Sequence, residues 1–573
     1  MTLTRHDVGV DESASTHPLV EIENLTVEFD HGGVVTKAVD GVSFTVAAGR
    51  CHALVGESGS GKTVTARTLV GLNPETATVR ADVLRFDGRD LLEFGDRQWR
   101  DLRGRRIGLV LQDALVSLDP LRTIGQEVAE AIEPRTRRRR DSETRERAVA
   151  LLSDVGIPDP ERRLDQYSHE LSGGLRQRAL IATAVAQTPD VVIADEPTTA
   201  LDTTVQKQIL ELLRSRLDRG AALILISHDL SLVAEIADEI TVMQNGKVIE
   251  QGTPADVFFD PQEEYTKSLL AAVPTAEAKG FRLSEPRSEV RVPLPARNIS
   301  RDRVVLDIES VSKTYVAKGG FERRAVDSVD LTLHAGETVG IVGESGSGKT
   351  TLMRIALGLL TPDEGTVRLG GKVWNPLSEK ARRHRRSRLQ LVSQDPLGSF
   401  DPRYTVGRLV ADGVSVAGLT GKARDARVAE LLESVGLDES FIRRRPLQLS
   451  GGQRQRVAIA RALAPAPEIL VCDEPVSALD VSVQAQVLDL IADLQAEHGT
   501  SVLFVSHDLG VVHHVSDRVV VLSEGRVVET GDVGDVYRNP THPYTRTLLD
   551  AVPKLASAES RRPLETSTAQ GER

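Results

Sequence analysis

The chain has 573 residues, of which 40% are hydrophobic and 27% are charged. This length predicts several domains, because one domain usually holds about 100–200 residues, and the globular composition excludes a collagen-like or wholly disordered chain. The 71 basic and 83 acidic residues give a net charge of −12, which argues against general binding to nucleic acid, since phosphate backbones attract basic proteins.

Two cysteines, Cys51 and Cys472, are present, so the chain cannot build a disulfide framework or a four-cysteine metal site. Both lie in apolar runs, where we expect inert core thiols. No stretch approaches the roughly 18–20 uncharged apolar residues of a membrane span, and residues 1–18 lack the apolar segment of a secretory signal. We expect a protein of the reducing cytosol, with any membrane role exerted through partner subunits.

The chain contains an internal repeat. The sequence GESGSGKT stands at residues 56–63 and again at 343–350, and four further motifs return in the same order. This pattern predicts two homologous domains at residues 19–274 and 303–553, with tails at 1–18 and 554–573. The linker between them, 275–302, is rich in proline and charge without sustained periodicity. It is long enough to let the domains face each other in almost any orientation.

Each repeat alternates short β-branched runs with longer helical stretches. In the first repeat, CHALV predicts a buried strand that leads through a glycine turn to a helix beginning near Lys62. Further along, VVIAD and ALILI predict buried strands that end in polar residues. The alternation predicts an α/β fold with a largely parallel sheet. In such sheets, binding sites gather at the C-terminal ends of the strands.

A strand, a GxxxxGK[ST] loop and a helix in succession predict a nucleotide phosphate-binding loop in each repeat. Glycines let backbone N–H groups converge on a phosphate at the positive N-terminus of the helix. Lys62 and Lys349 would reach the β- and γ-phosphates, while the hydroxyls of Thr63 and Thr350 would reach Mg²⁺. The candidate phosphate-binding residues are Gly56, Glu57, Ser58, Gly59, Ser60, Gly61, Lys62, Thr63, Gly343, Glu344, Ser345, Gly346, Ser347, Gly348, Lys349 and Thr350.

An apolar strand that ends in Asp-Glu-Pro follows each loop. Asp195 and Asp473 are candidates to hold Mg²⁺ through water, and Glu196 and Glu474 are candidates to polarise the attacking water. An acidic pair at a strand end is often only the solvated start of a loop. Its position after a phosphate-binding loop favours the catalytic interpretation.

Each repeat resembles the nucleotide-binding domain of ATP-binding cassette (ABC) transporters. The discriminating motif is LSGG, at residues 171–174 and 449–452, because many phosphate-loop ATPases have GxxxxGKT but this family adds the LSGG signature. The resemblance implies, in each repeat, a mainly parallel core sheet, an antiparallel β subdomain and a helical signature subdomain. It also implies that each signature contacts the ATP held by the other repeat, through Ser172, Gly173, Gly174, Ser450, Gly451 and Gly452.

The same resemblance implies further site residues. They are Gln112 and Gln394 in the Q-loop near Mg²⁺ and the attacking water, His228 and His507 at the switch position near the γ-phosphate, and Asp202 and Asp480 in the D-loop. Phe29 and Tyr315 stand where the family places an aromatic ring on adenine, a stacking contact worth about 1–3 kcal/mol. The alternative for this pair is that both are core aromatics of a strand.

The two repeats differ at one position of the signature, where Leu175 stands in place of Gln453. The resemblance implies a mildly altered ATP site where the second phosphate-binding loop meets the first signature. Both repeats keep the glutamate, the lysine and the histidine, so we expect two sites that hydrolyse ATP with Mg²⁺.

Without membrane segments, the chain resembles the detached ATPase subunit of an importer, with two cassettes fused. Residues 117–125 and 399–407, after the Q-loop, and the stretches at 260–274 and 539–553 resemble the dipeptide, oligopeptide and nickel importer group. This resemblance implies uptake of peptide-like solutes through two membrane-spanning permease subunits, served by an extracellular or periplasmic substrate-binding protein. The chain would lie at the cytoplasmic face of the cell membrane as a peripheral protein and bind no nucleic acid.

A competing interpretation is a soluble twin-cassette ATPase that acts on ribosomes or DNA. The proline-interrupted linker and the scarcity of cysteine disfavour it. Two basic runs, at residues 137–140 and 380–388, predict solvated faces, with contact to anionic lipid headgroups as the alternative.

Overall fold

The computed structural model describes residues 18–112, 114–133, 142–199, 201–284, 291–316 and 322–552. Contacts divide the chain into two compact units. The first unit comprises Met1–Pro197, Glu211–Ser227 and Ile236–Phe259, and the second comprises Thr198–Leu210, His228–Glu235 and Asp260–Arg573. Three segments of the first repeat, 198–210, 228–235 and 260–274, therefore group with the second unit. The domain boundaries drawn from the repeat stay a prediction beside this division.

The first repeat consists of eleven named strands and eleven named helices in the described residues. In chain order these are β1 (Val20–His31), β2 (Val34–Val46), β3 (Cys51–Val55), α1 (Lys62–Thr68), β4 (Ala77–Arg80), β5 (Val83–Phe86), β6 (Arg89–Asp90), α2 (Asp96–Leu102), β7 (Ile107–Val110), α3 (Ala114–Ser117), α4 (Ile124–Ile132), α5 (Ser142–Asp154), α6 (Pro160–Arg163), α7 (Gly173–Val185), β8 (Val191–Asp195), α8 (Thr203–Asp218), β9 (Ala222–Ile226), α9 (Leu230–Ile236), β10 (Glu239–Gln244), β11 (Lys247–Gly252), α10 (Pro254–Phe259) and α11 (Glu264–Ala271).

The second repeat follows the same plan. Its elements are β12 (Ser300–Val316), β13 (Glu322–Ala335), β14 (Thr338–Val342), α12 (Lys349–Ala356), β15 (Glu364–Leu369), β16 (Lys372–Asn375), α13 (Glu379–Arg382), β17 (Leu389–Val392), α14 (Pro396–Ser399), α15 (Val406–Val416), α16 (Gly421–Ser434), α17 (Gly451–Leu463), β18 (Ile469–Asp473), α18 (Val481–His498), β19 (Ser501–Val505), α19 (Leu509–Val515), β20 (Arg518–Ser523), β21 (Arg526–Asp532), α20 (Val533–Arg538) and α21 (Pro543–Asp550).

A mainly parallel sheet lies at the centre of the first unit. Its strand order is β11-β10-β3-β9-β8-β7, and only the β10–β11 pair is antiparallel. Strands β3, β8 and β9 are buried at every residue. This burial matches their continuous apolar sequences, because a parallel sheet is covered on both faces. The predicted buried strands and the α/β fold class are confirmed.

An antiparallel sheet completes the strands of the first unit, in the order β2-β1-β5-β6, with β4 also paired to β1. The C-terminal half of β2 alternates exposed and buried residues, as expected where one face packs on a core and the other meets solvent. The second unit repeats both sheets, in the orders β17-β18-β19-β14-β20-β21 and β13-β12-β15-β16. Strand β12 begins at Ser300, inside the predicted linker.

The described part of the predicted linker packs against the second unit. Asp489 of α18 is 2% exposed and accepts hydrogen bonds from Leu283 N–H and Ser284 N–H at 3.1 and 2.8 Å. Further along, Arg297 forms an ion pair with Asp517 at 2.8 Å. A carboxylate buried this deeply needs such donors. Residues of the predicted linker are therefore bonded within the second unit at Leu283, Ser284 and Arg297.

The basic run at residues 380–388 is largely used within the fold. The guanidinium of Arg385 donates to the carbonyls of Leu369 and Val373 at 2.7 and 2.8 Å, and Arg386 forms an ion pair with Glu379. The indole of Trp374, which is fully buried, has the guanidinium of Arg385 5.7 Å from its ring centroid. These bonds replace much of the solvated face predicted for this run. The run at 137–140 lies outside the described residues.

Candidate functional site

The phosphate-binding loops join a buried strand to a helix as predicted, with α1 beginning at Lys62 and α12 at Lys349. The residue before each helix is a glycine with a left-handed backbone, φ being 102° at Gly61 and 108° at Gly348. A Cβ atom at Gly348 would collide with the carbonyl oxygen of Ala325. Glycine is therefore required there both for the backbone angle and for the close approach of β13.

The lysine of each loop binds the loop's own main chain. Lys349 Nζ donates to the carbonyls of Gly343 and Glu344 at 2.6 and 2.9 Å, and Lys62 makes the equivalent bonds to residues 56 and 57 at 2.7 Å each. These contacts hold a buried ammonium at the centre of the loop. Burial lowers the pKa of Lys349, and the nearby carboxylate of Glu474 opposes the shift.

In the first repeat, a threonine hydroxyl and an aspartate that were predicted to serve Mg²⁺ lie next to each other. Thr63 Oγ1 donates to Asp195 Oδ1 at 3.1 Å. In the second repeat, burial raises the pKa of Asp473 to about 6, and the charge of Glu474 adds to the shift. No group of three or more His, Cys, Asp or Glu side chains suited to a metal ion occurs among the described residues. One hydroxyl and one carboxylate suit Mg²⁺, which keeps several waters and takes its remaining ligands from phosphate oxygens.

The glutamate that follows each aspartate is held by the Q-loop glutamine. Gln394 Nε2 donates to Glu474 Oε2 at 2.7 Å, and Gln112 makes the same bond to Glu196. The other oxygen of Glu474 lies 3.2 Å from His507 Nδ1. Burial alone would raise the pKa of Glu474, but its hydrogen bond and ion pair with His507 outweigh burial and lower it. The structure thus brings three residues predicted from separate motifs into one cluster.

A cavity of about 380 Å³ in the second unit collects most of the predicted residues of the second repeat. Among its lining residues are Tyr315, Ser345, Gly346, Gly348, Lys349, Thr350, Gln394, Glu474 and His507, together with Asp202. Tyr315 is 42% exposed, which favours a wall of this cavity over a core position. Phe29 is partly buried and packs against the hydrophobic core of the first unit, so its contact with adenine stays a prediction.

Sequence reasoning missed Arg323, which also lines this cavity. Its guanidinium donates to the carbonyl of Gly346 at 3.0 Å, and it stands opposite Tyr315 in the β12–β13 pair. A basic residue beside the phosphate-binding loop supplies charge that favours a nucleotide. The position opposite the aromatic residue in the first repeat is Thr36. Only strand register, which the sequence does not show directly, reveals this difference.

The signature residues begin helices, as expected. Ser172 and Ser450 are the N-caps of α7 and α17. In the second repeat Gln453 closes a capping box, because its side chain accepts a hydrogen bond from Ser450 N–H at 3.0 Å while Ser450 Oγ accepts from Gln453 N–H. Leu175 has no side-chain amide, so it cannot accept the corresponding hydrogen bond from Ser172 N–H. Ser450, Gly451 and Gly452 do not line the cavity described above.

The D-loop aspartates also begin helices. Asp480 Oδ1 accepts from Val483 N–H at 3.1 Å, and Asp202 Oδ1 accepts from Val205 N–H at 3.0 Å. The second oxygen of Asp202 accepts from the N–H of Ser345, in the phosphate-binding loop, at 3.2 Å. His228 lies just before α9, at the position that His507 occupies before α19.

No helix in the part of the chain that the structure describes is long and apolar enough to cross a membrane.

Comparison with known proteins gives two families and close full-length relatives. The ABC transporter family matches residues 39–199 and 326–477, together more than half of the chain. The family described as "Oligopeptide/dipeptide transporter, C-terminal region" matches residues 249–297 and 528–572. Both families match twice, in agreement with the internal repeat.

Three relatives align over nearly the whole chain. The peptidoglycan transport ATP-binding protein YejF of Agrobacterium fabrum is 44% identical over 96% of this chain and 99% of its own length. The oligopeptide transport ATP-binding protein OppD of Mycobacterium tuberculosis is 43% identical over 94% and 98%. The glutathione import ATP-binding protein GsiA of Pectobacterium atrosepticum is 40% identical over 93% and 89%. The chain belongs to the ABC transporter family, as an ATP-binding protein with two fused cassettes.

Proposed function

We propose that this chain is the ATP-hydrolysing subunit of an importer for peptide-like solutes. The names of its relatives refer to oligopeptide, peptidoglycan and glutathione transport, and the peptide-transporter C-terminal region matches each repeat. These matches favour an importer over an ATPase of ribosomes or DNA. The chain would work at the cytoplasmic face of the membrane with two permease subunits and a substrate-binding protein.

In the proposed site, the residues of each repeat divide the work. The loop amides and Lys62 or Lys349 bind the phosphates of ATP, which suits an anion at a helix N-terminus. Thr63 with Asp195, and Thr350 with Asp473, hold Mg²⁺, with Gln112 and Gln394 nearby. Bound Mg²⁺ would neutralise negative charge on the phosphate oxygens. Tyr315 stacks on adenine in the second site, and Phe29 is the corresponding candidate in the first.

Glu196 and Glu474 orient and deprotonate the attacking water. The carboxylate of Glu474 is fixed from both oxygens, by Gln394 and His507, so it keeps one direction toward the cavity. The lowered pKa of Glu474 keeps it charged at neutral pH, as a general base requires. We propose that the signature of each repeat, beginning at Ser172 and Ser450, completes the ATP site of the other repeat.

The observation that carries this proposal is the cavity in which Lys349, Glu474, Gln394 and His507 meet. The test is reconstitution of the chain with its permease subunits in proteoliposomes, with the binding protein outside and ATP inside. We expect uptake of labelled short peptides that stops when both glutamates are replaced, in the variant E196Q/E474Q. ATP hydrolysis without uptake of any peptide, glutathione or murein peptide would contradict the assigned substrate class.

A further inference from the structure

The C-terminal segment of the second repeat contacts the phosphate-binding loop. Tyr544 lies in the first turn of α21, and its hydroxyl accepts a hydrogen bond from the backbone N–H of Glu344 at 3.0 Å. Glu344 is the second residue of the GESGSGKT loop. A side chain 200 residues further along the chain therefore holds a main-chain donor of the loop.

The main chain of Glu344 is fixed on both sides. Its amide is held by Tyr544, and its carbonyl accepts from Lys349 Nζ at 2.9 Å. Its carboxylate accepts from Thr204 Oγ1 at 2.7 Å. Because this residue opens the loop whose later amides face the phosphates, its orientation sets the path of the loop. Loss of the tyrosine hydroxyl would leave the amide without its partner and free this end of the loop to shift.

The helix that carries Tyr544 is anchored to the central sheet. Glu529 of β21 is 9% exposed and accepts from both the N–H and the hydroxyl of Thr541 at 2.7 Å, and from His542 N–H at 3.1 Å. His542 Nδ1 then accepts from Tyr544 N–H at 3.2 Å. Burial alone would raise the pKa of Glu529, but its hydrogen bonds outweigh burial and lower it to about 2.

The anchor reaches the loop by a short path. Strand β21 pairs with β20, which pairs with β14, and β14 leads directly into the loop. Tyr544 thus closes a second connection between the sheet and the loop, outside the strand itself. Burial raises the pKa of Tyr544 to about 12, so its hydroxyl stays neutral and remains an acceptor at any physiological pH.

We propose that Tyr544 is a positioning residue for the second ATP site, which ties the peptide-transporter C-terminal region to the phosphate-binding loop and keeps that loop in the shape that binds ATP. This inference rests on the proposed function of the loop. The hydroxyl contacts the loop on its main chain, not the reacting atoms, so it acts on ATP affinity rather than on the chemical step. Tyr265, in the YTKSLL that corresponds to YTRTLL, is the equivalent residue of the first repeat.

The test is ATP binding by the full chain at one loop at a time. Replacing Lys62 with Ala removes binding at the first loop, so binding of a fluorescent ATP analogue to K62A reports on the second. In that background we expect Y544F to raise the Kd by about two- to tenfold, the effect of one hydrogen bond. In the K349A background, where only the first loop binds, we expect Y544F to leave the Kd unchanged.

Two further measurements separate positioning from a general loss of structure. In the chain with both lysines, Y544F should raise the KM for ATP and leave kcat at saturating ATP within about twofold. The matched control is Y404F, in a tyrosine that packs on Arg408 away from the cavity, and it should change neither constant. A lowered kcat with an unchanged KM would assign Tyr544 a merely structural role and overturn the inference.

The outcomes also distinguish this inference from the proposed function. ATP binding by K62A that Y544F leaves unaltered would overturn the role of Tyr544 and leave the function standing. An equal loss of affinity in the K62A and K349A backgrounds would overturn the assignment to the second loop. A complete absence of ATP binding in the unsubstituted chain would overturn both.

Discussion

Gln394 holds Glu474 through a 2.7 Å hydrogen bond, and Gln112 holds Glu196 at the same distance. Both glutamates have a left-handed backbone, with φ of 46° and 49°. Non-glycine residues rarely adopt this conformation, and it persists only where the surroundings enforce it. Here each glutamate N–H is bound to the neighbouring strand, to Val505 or Ile226, at 2.9 Å. The carboxylates are thus fixed from the main chain and from the side chain.

We predict that Q394A lowers kcat for ATP hydrolysis. The substitution removes one of the two side chains that direct Glu474, a loss of about 1 kcal/mol or more, which corresponds to roughly five- to tenfold in rate. Q112A should act in the same way through Glu196. Steady-state ATPase assays measure the effect. Gln390 lies on β17 and its side chain donates to the carbonyl of Arg386, so Q390A serves as the control. Equal rates for Q394A and Q390A would refute the role of the bond.

The two signature helices differ in their caps, and the difference can be exchanged. Q453L removes the return bond to Ser450 N–H, so we expect the free energy of unfolding to fall by about 0.5–1 kcal/mol. L175Q allows the first repeat to form the same capping box and should raise stability by a similar amount. Thermal unfolding of the two variants against the unsubstituted chain measures both shifts. Shifts of the same sign in the two variants would contradict this account.

A buried histidine should make stability fall in mild acid. His52, which is 2% exposed, has Nε2 2.8 Å from Thr241 Oγ1 and Nδ1 3.4 Å from Glu239 Oε2. Burial lowers its pKa to about 4, whereas in the unfolded chain it is about 6.5. Between these two pKa values the unfolded chain binds more protons at His52 than the folded chain does. The contribution of His52 to the free energy of unfolding therefore falls as the pH drops from 6.5 to 4, by at most about 3 kcal/mol.

The second repeat suggests a control variant for this pH dependence. Val339 stands at the position of His52 and Val520 at the position of Thr241, and both valines are buried. H52V/T241V replaces both hydrogen-bonding partners by apolar groups, a change that can be nearly neutral. We expect melting temperatures of the variant and the unsubstituted chain to agree at pH 7.5 and to diverge at pH 5, with the variant higher. If the difference in melting temperature between the variant and the unsubstituted chain is the same at pH 7.5 and at pH 5, His52 does not titrate as stated.

Motifs and apolar runs were enough to predict the fold class and the phosphate-binding loops. The strand ends of β8 and β18 and the helix starts at Lys62 and Lys349 follow from local sequence patterns that occur twice. The positions of Gln394 and His507 near Glu474 were implied by the family resemblance. Contacts between residues distant in sequence were not predictable in this way. Arg323 lines the site because it pairs with Tyr315 across two strands. Tyr544 contacts the loop from residues 539–553, which the sequence analysis used only to identify the resemblance to an importer group.

The linker and the basic run show the same limit. Proline and charge at residues 275–302 predicted a linker without sustained periodicity, and did not show that Asp489, buried in α18, binds its main chain. Charges at 380–388 predicted a solvated face, yet the donors of Arg385 satisfy carbonyls at strand ends. Composition predicts that such residues are polar. Only the fold shows which polar groups they meet.

The most direct test of two working ATP sites is the ATPase rate of E196Q, E474Q and the double variant, measured beside ATP binding. Gln keeps the size of the side chain and its bond to the Q-loop position but cannot accept a proton. We predict that each single substitution lowers turnover and that the double variant loses hydrolysis by at least about 100-fold while still binding ATP. Full turnover by the double variant would contradict the assignment of both glutamates.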